Sequence, residues 1–368
     1  MFFGIRGIFE KRWKSLEDKN GKKAAQPRGK RVAVFLGKTL LVLLETVVLA
    51  AALLLGAIFV VTHGPSEAAK RLFVMSVKET SAMGFLADWF LSPEEVENIT
   101  RVELEEDIQT DTSLIQLPQE TRPADQADPW GFTDDDGDGI ILQRVTGSGY
   151  SGFMMIVLDP TRVIMGSVPE HFGVRGYTVA EMVERFDAVA GINAGGFYDP
   201  NGNGNGSIPD SMVVYRGKPY YSGTRQGFVG LDSAGILHVG NPGKEELSEM
   251  DIQYGVSFGP VLVANGESVL PENTASGLNP RTAIGQRSDG AMLLLVIDGR
   301  QVVSLGATLQ DLAEIMLKFG AVNACNLDGG SSSLMWFQGD YINNCASVIG
   351  IRPVPTTFLV LKEGAHEE

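Results

Sequence analysis

The chain has 368 residues, 44% of them hydrophobic, and a formal net charge of −15, which excludes a disordered protein and allows one large domain or two ordinary ones with a real core. The charge is unevenly spread: Met1–Arg31 holds ten Lys/Arg against three Asp/Glu, a balance of +7 that leaves −22 for the remainder. An acidic body cannot neutralise phosphates in bulk, so nucleic acid is excluded as its partner.

After the basic segment (1–31) comes "VAVFLGKTLLVLLETVVLAAALLLGAIFVV", and from Thr39 to Val61 only Glu45 is charged. That length suits the roughly 20 residues that cross a bilayer. The tract is longer than a signal-peptide core and "THGPSE" is a poor cleavage site, so 32–62 is predicted to be a single transmembrane helix. Lysine and arginine ahead of the span place the N-terminus in the cytoplasm and the body outside the cell membrane, with membrane lipid as one partner. Residues 63–101 follow as a helical stalk, with Ser66 and Ser92 as N-caps and Pro93 in a first turn. Residues 102–130 are acidic, polar and proline-containing, and read as a linker. Cys325 and Cys345 are either a disulfide, which an extracytoplasmic setting permits, or two free thiols.

From 131 to 363, before a short tail (364–368), brief apolar runs alternate with glycine turns: "YSGFMMIVLDP", "SMVVYRGKPYY", "GPVLVANGES", "AMLLLVIDGRQ" and "TTFLVL". Such runs are strands, and "ANG" and "SDG" are hairpin turns. Two helices interrupt them, "TVAEMVERFDAV" after Thr178 and "TLQDLAEIMLKFG" after Thr308. The fold class is therefore α+β, a β-rich mixed sheet core with a few packed helices.

Three segments share one design, an apolar strand running into a polar residue and then glycine: "AVAGINAGGFYD", "LLLVIDGRQ" and "NACNLDGGSSSLMWF". They present Asn193, Asp298 and Asp328 at strand ends beside unobstructed main-chain N–H groups, which form anion-binding nests. "NPRTAIGQ" adds Arg281, whose planar fork suits phosphate or carboxylate. In "DPNGNGNGSIPD" the residues Asp199, Asn201, Asn203, Gly204, Asn205, Ser207 and Asp210 match positions 1, 3, 5, 6, 7, 9 and 12 of a calcium loop. "DDDGDGI", with Asp134, Asp136 and Asp138, is a truncated version of that pattern. No cofactor is required by these residues; calcium is the one they admit. His171 and His238 are isolated, which argues against zinc. No Gly-x-Ser-x-Gly elbow is present.

In order, "INAGGFYDPNG", "FGPVLVANG", "PRTAIG", "LLLVIDGR", "LDGGSSS" and "GIRPVPTTFLV" resemble the phosphodiester glycosidases, over roughly Ser151–Leu361. These are relatives of the enzyme that uncovers mannose 6-phosphate by removing N-acetylglucosamine from a phosphodiester. Bacterial members are often labelled exopolysaccharide biosynthesis proteins, and the anchored form with a "WFLS" stalk resembles a Gram-positive subset. The family's usual Asn-Gly-Gly is here Asn193-Ala194-Gly195-Gly196, and its Asp-Gly-Gly-Gly-Ser is Asp328-Gly329-Gly330-Ser331-Ser332. The resemblance implies an extracytoplasmic hydrolase of sugar-1-phosphodiesters in surface polysaccharide or lipid-linked glycan metabolism. The rival readings are a non-catalytic glycan-binding protein of exopolysaccharide assembly and a sugar or phosphate transferase on the same fold. Catalysis is expected from Asp328, Asp298 and Arg281. Substrate contacts are expected from Asn193, Gly195, Gly196, Phe197, Tyr198, Gly329, Gly330, Ser331 and Ser332, with a sugar phosphodiester as partner.

Overall fold

The computed structural model describes residues 28–80, 83–101, 108–117, 127–200, 204–220, 227–271, 274, 276–347 and 350–365. They fall into two compact units, one ending at Val61 and one beginning at Thr62. The first is built on helix α1 (Arg28–His63), whose stretch Phe35–His63, of mean hydropathy 2.6, is long and apolar enough to cross a membrane. Its apolar side chains, such as Leu40, Leu49 and Leu53, are exposed.

The second unit opens with three short helices, α2 (Glu67–Lys78), α3 (Phe85–Phe90) and α4 (Pro93–Thr100). Ser66 caps α2 by accepting from the Ala69 N–H, and Ser92 with Glu95 forms a capping box on α4. Val74, Leu91, Val96 and Ile99 form their shared core.

Strands, numbered along the chain, make three sheets. The first runs in the order β1 (Ile140–Gly147), β2 (Tyr150–Val157), β13 (Met292–Ile297), β12 (Arg281–Arg287), β14 (Ala321–Leu327), β10 (Val261–Ala264) and β11 (Glu267–Ser268). The second is β16 (Asp340–Tyr341), β15 (Met335–Phe337), β4 (Ala188–Asn193), β17 (Thr356–Leu361) and β3 (Val163–Ser167). The third is β6 (Lys218–Tyr220), β5 (Val213–Tyr215), β9 (Ile252–Val256), β7 (Phe228–Asp232) and β8 (Leu237–Gly240). Neighbouring strands pair antiparallel throughout, for example Arg281 opposite Ile297 and Thr282 opposite Leu327. The α+β class therefore holds, with three antiparallel sheets.

Inward side chains of all three sheets, among them Met155, Ile192, Val229, Leu294 and Phe358, form one core. The outer face of the first sheet is covered by α7 (Leu309–Lys318), and that of the second by α5 (Val179–Arg185). Both faces of β13 are thus buried, which is why "MLLLVI" is continuously apolar rather than alternating. Helix α6 (Lys244–Glu249) lies near the third sheet, with Leu247 against its small outer cluster.

The predicted turns and caps are where they were expected. Thr178 and Thr308 close capping boxes with Glu181 and Asp311. Asn265 and Gly266 turn β10 into β11 at φ values of 55° and 83°, the left-handed conformation that such a turn requires. Cys325 and Cys345 are not joined to each other, so the disulfide alternative is not formed. The acidic segment also departs from a plain linker in its described parts. Thr110 bonds the Val239 backbone, Ile115 is buried, and Asp128 pairs with the fully buried Arg287, whose guanidinium stacks 4.0 Å from the Trp130 ring.

Candidate active site

At one edge of the core, the start of β12 and the ends of β13 and β14 lie side by side because of the antiparallel register. Beyond them opens a cleft of about 390 Å³. Its floor is Asn326, Leu327 and Asp328, and its rim the turn Gly329–Ser332. Phe197, Asp199 and Arg352 bound it from the second sheet's loops, and Asn279, Arg281 and Arg300 from the first sheet. Glu79, which follows α2, completes the wall.

Three arginines and three carboxylates therefore face one hollow. Two of the arginines have carboxylate partners. Arg281 donates from Nη2 to Glu79 Oε2 at 2.6 Å and to the Gly277 carbonyl at 2.9 Å, with Nε on the Ala307 carbonyl. Arg352 grips Asp199 with two prongs, Nη1 to Oδ2 at 2.8 Å and Nη2 to Oδ1 at 2.6 Å, and also reaches Ser331 Oγ. Arg300 is different. Its Nη2 donates only to the Thr80 hydroxyl and the Asn279 side-chain oxygen, both at 3.0 Å, and among the described residues no carboxylate pairs with it. Burial and the neighbouring Arg281 charge hold the Arg300 guanidinium below its usual range, with Glu79 opposing them. A cation so placed favours an incoming anion.

The floor has an acceptor to match. Asn326 is 4% exposed and donates from Nδ2 to the Gly259 carbonyl at 2.8 Å, which fixes the amide orientation. Its Oδ1 is buried without a partner among the described residues. An orphan buried acceptor is costly unless a ligand or water supplies the donor.

Of the expected residues, the structure brings Arg281, Asp328, Gly329, Gly330, Ser331, Ser332 and Phe197 together at this cleft. It does not bring Asp298 or Asn193. The Asp298 carboxylate faces the other way, accepting from the Asn344 N–H at 2.9 Å and from Asn343 Nδ2 at 3.1 Å, where it fixes the 343–344 turn. Asn193 is fully buried beneath the floor. Its Nδ2 donates to the Asp328 carbonyl and its Oδ1 accepts from the Thr282 hydroxyl and the Leu334 N–H, so it holds the Asp328 turn rather than a sugar.

Gly195 and Gly196 lie under the loop. The Gly195 N–H bonds the Thr356 hydroxyl, and a side chain on Gly196 would meet the Asp210 carboxylate at 2.6 Å. Tyr198 points to solvent at 62% exposure. The backbone nest is also partly closed, because the Gly330 N–H bonds the Pro280 carbonyl and the Ser332 N–H the Gly329 carbonyl.

Several oxygens of the expected calcium spacing at Asp199–Asp210 already have protein partners. Asp199, its first position, is held by Arg352 and by the Gly204 N–H, and Asn205 Oδ1 accepts from Ser207. Asp210 accepts from the Ser211 hydroxyl, while Asn201 and Asn203 lie outside the described residues. Carboxylate oxygens of Asp134, Asp136 and Asp138 do lie within 4.8 Å of one another, a group able to hold a cation. Burial and the two neighbouring charges push the Asp138 carboxyl up, against the Ile140 N–H.

Glu79, Arg300, Arg352, Asn279 and Asn326 were not anticipated. Arg300 and Arg352 stand inside "LLLVIDGR" and "GIRPVPTTFLV", where the aspartate and the apolar strand carry the stronger local signal.

Residues 186–361 match the family model described as phosphodiester glycosidase. The SPbeta prophage-derived uncharacterized protein YomE of Bacillus subtilis (strain 168) is 31% identical over 204 residues, covering 52% of this chain and 30% of that protein. The Homo sapiens N-acetylglucosamine-1-phosphodiester alpha-N-acetylglucosaminidase is 29% identical over 184 residues, 45% of this chain and 35% of the relative. The chain thus spans about a third of the length of these relatives. The solved catalytic domain of zebrafish N-acetylglucosamine-1-phosphodiester alpha-N-acetylglucosaminidase, auto-inhibited by its pro-peptide, aligns with a TM-score of 0.51 and 20% identity. That alignment covers 61% of this chain and 82% of that one, a likeness of fold.

Proposed function

We propose that this chain, whose residues 186–361 match the phosphodiester glycosidase family model, hydrolyses the bond between a sugar C1 and the oxygen of a phosphodiester, with N-acetylglucosamine-type sugars as the substrate class. The observation that carries this reading is Arg300, a cation in the cleft whose described partners are two neutral oxygens. A phosphodiester brings the missing negative charge.

Cleavage breaks the C1–O bond, releases a phosphate monoester and places a water-derived hydroxyl on C1. A phosphate is already a good leaving group, so the site needs cations on the departing oxygens more than a strong general acid. Arg300 meets that demand, with the Ser331 and Ser332 hydroxyls near the rim. The developing positive charge on the sugar ring needs a carboxylate, and Asp328 is the one on the floor. Asn326 Oδ1 accepts a sugar hydroxyl or an acetamido N–H. Phe197, beneath Arg352 at 5.0 Å, supplies an apolar wall.

The setting that fits this activity is a membrane surface. In this reading α1 is a single-pass anchor with the basic N-terminus cytoplasmic, and the cleft works outside the cell on surface polysaccharide or lipid-linked glycan. The test uses the full chain in detergent with UDP-N-acetylglucosamine or an aryl sugar-1-phosphodiester, and measures free sugar. Release that falls at least about a hundredfold in Asp328→Asn supports the assignment, at the scale of removing one charge from a preorganised site. No release from the unaltered chain on either compound would end it.

A further inference from the structure

Helix α2 lies outside the family-matching residues 186–361, yet the segment after it is built into the cleft. Five contacts tie Ser76–Thr80 there. The Leu278 N–H donates to Ser76 Oγ at 2.9 Å and the Gly277 N–H to Glu79 Oε1 at 3.1 Å. Glu79 Oε2 accepts from Asn279 Nδ2 at 2.7 Å and from Arg281 Nη2 at 2.6 Å. Thr80 then takes the Arg300 guanidinium on its hydroxyl. The approach is close enough to need glycine at 277, since a Cβ there would lie 2.3 Å from the Ser76 Cα.

The donors around Glu79 come from three residues of the first-sheet wall, and its carboxylate oxygens are both engaged. A carboxylate so fully bonded serves as a brace. It also neutralises Arg281, which otherwise would stand beside Arg300 as a second unpaired cation.

We propose that Glu79, delivered by the helical segment ahead of the family domain, is a positioning residue of the active site. It fixes Arg281 as structure, and with Thr80 it aims Arg300 as the cation that meets the substrate phosphate. The site is thus composite, and the family-matching residues alone hold an incomplete one. This rests on the phosphodiester reading above for its catalytic half only.

The opposing possibility has a different sign. A carboxylate seated where a phosphate belongs would be an internal block, and removing it would raise activity.

The test compares the full chain with Glu79→Gln and Glu79→Ala, using inorganic phosphate as an anion probe beside turnover of the sugar phosphodiester. Freed from Glu79, Arg281 attracts anions, so phosphate is expected to bind about threefold more tightly, the scale of one partly exposed ion pair. The misaimed cleft is expected to lose roughly tenfold to a hundredfold in kcat, the cost of a small displacement of a positioning group. A residue that only supported the fold would not move these two readouts in opposite directions. Turnover that is unchanged or raised in Glu79→Gln overturns the proposal, as does phosphate affinity that is unchanged or weaker in that variant. Thermal unfolding of Glu79→Gln checks that it is folded, and the phosphate arm stands even if no sugar phosphodiester is turned over.

Discussion

Arg300 contributes a φ of 57°, a left-handed conformation that residues other than glycine adopt at a cost of about 1–3 kcal/mol. The surrounding turn, closed by Gln301 and Ser304, holds it there. Its guanidinium bonds neutral oxygens only, so removing it leaves no orphaned carboxylate behind. Arg300→Met is therefore expected to fold normally and to lose about 10- to 100-fold in kcat/KM, the value of one hydrogen bond to a charged group. Unchanged kcat/KM on a phosphodiester would show that the anion sits elsewhere. Arg281 and Asp328 were legible because a cation and a carboxylate stand beside glycine turns. Asp298 and Asn193 carry the same local signature, and both support the turns around the cleft from behind. Spacing along a strand shows that a polar residue ends it; it does not show which way the side chain points.

The two described arms of the loop from Phe197 to Asp210 are tied to each other and to Arg352. An isolated bridge joins Phe197 to Pro209, the Tyr198 N–H bonds the Ile208 carbonyl, and Arg352 holds Asp199. Burial alone would push the Asp199 carboxyl up, but the Arg352 guanidinium and the Gly204 N–H outweigh it and hold it below its ordinary value of 3.8. A carboxyl lowered on folding stabilises the folded form above the unfolded pKa and loses that contribution as pH falls through the folded one. The clamp is therefore expected to stay intact from neutral pH down to about 4 and to release below it. Limited proteolysis within Phe197–Asp210 should speed up below that pH, and in Arg352→Gln it should already be fast at pH 7. Equal protection in the variant would refute the clamp. The glycines and asparagines of this loop announced an unusual backbone, and calcium spacing was one explanation for them. Its tether, Arg352, lies 153 positions away along the chain, a distance over which sequence pattern carries no signal. Helix ends were legible for the opposite reason, because a cap and its partner are three residues apart.

Over the whole molecule, the described parts of the acidic segment are bound to the body. Arg287 is 0% exposed and meets Asp128 on one side, Asp289 on another and the Trp130 ring on its face. Trp130 in turn needs Gly320, where a Cβ would lie 2.2 Å from the indole. Removing one partner of a buried pair leaves an uncompensated charge, so Asp128→Ala is expected to cost about 3–5 kcal/mol by urea denaturation. A loss under about 1 kcal/mol would mean that Asp289 suffices. Polar, proline-bearing composition suggested a spacer there, and composition does not register a buried cation waiting some 160 positions further on.

Strands β1, β2 and β3 all precede residue 186, yet β2 is an interior strand of the first sheet and β3 closes the second. The stretch of kinship is therefore smaller than the stretch that must fold together. Trimmed to the shared part, the polypeptide would expose the bare flank of β13 where β2 belongs, an open hydrogen-bonding border that invites self-association into aggregates.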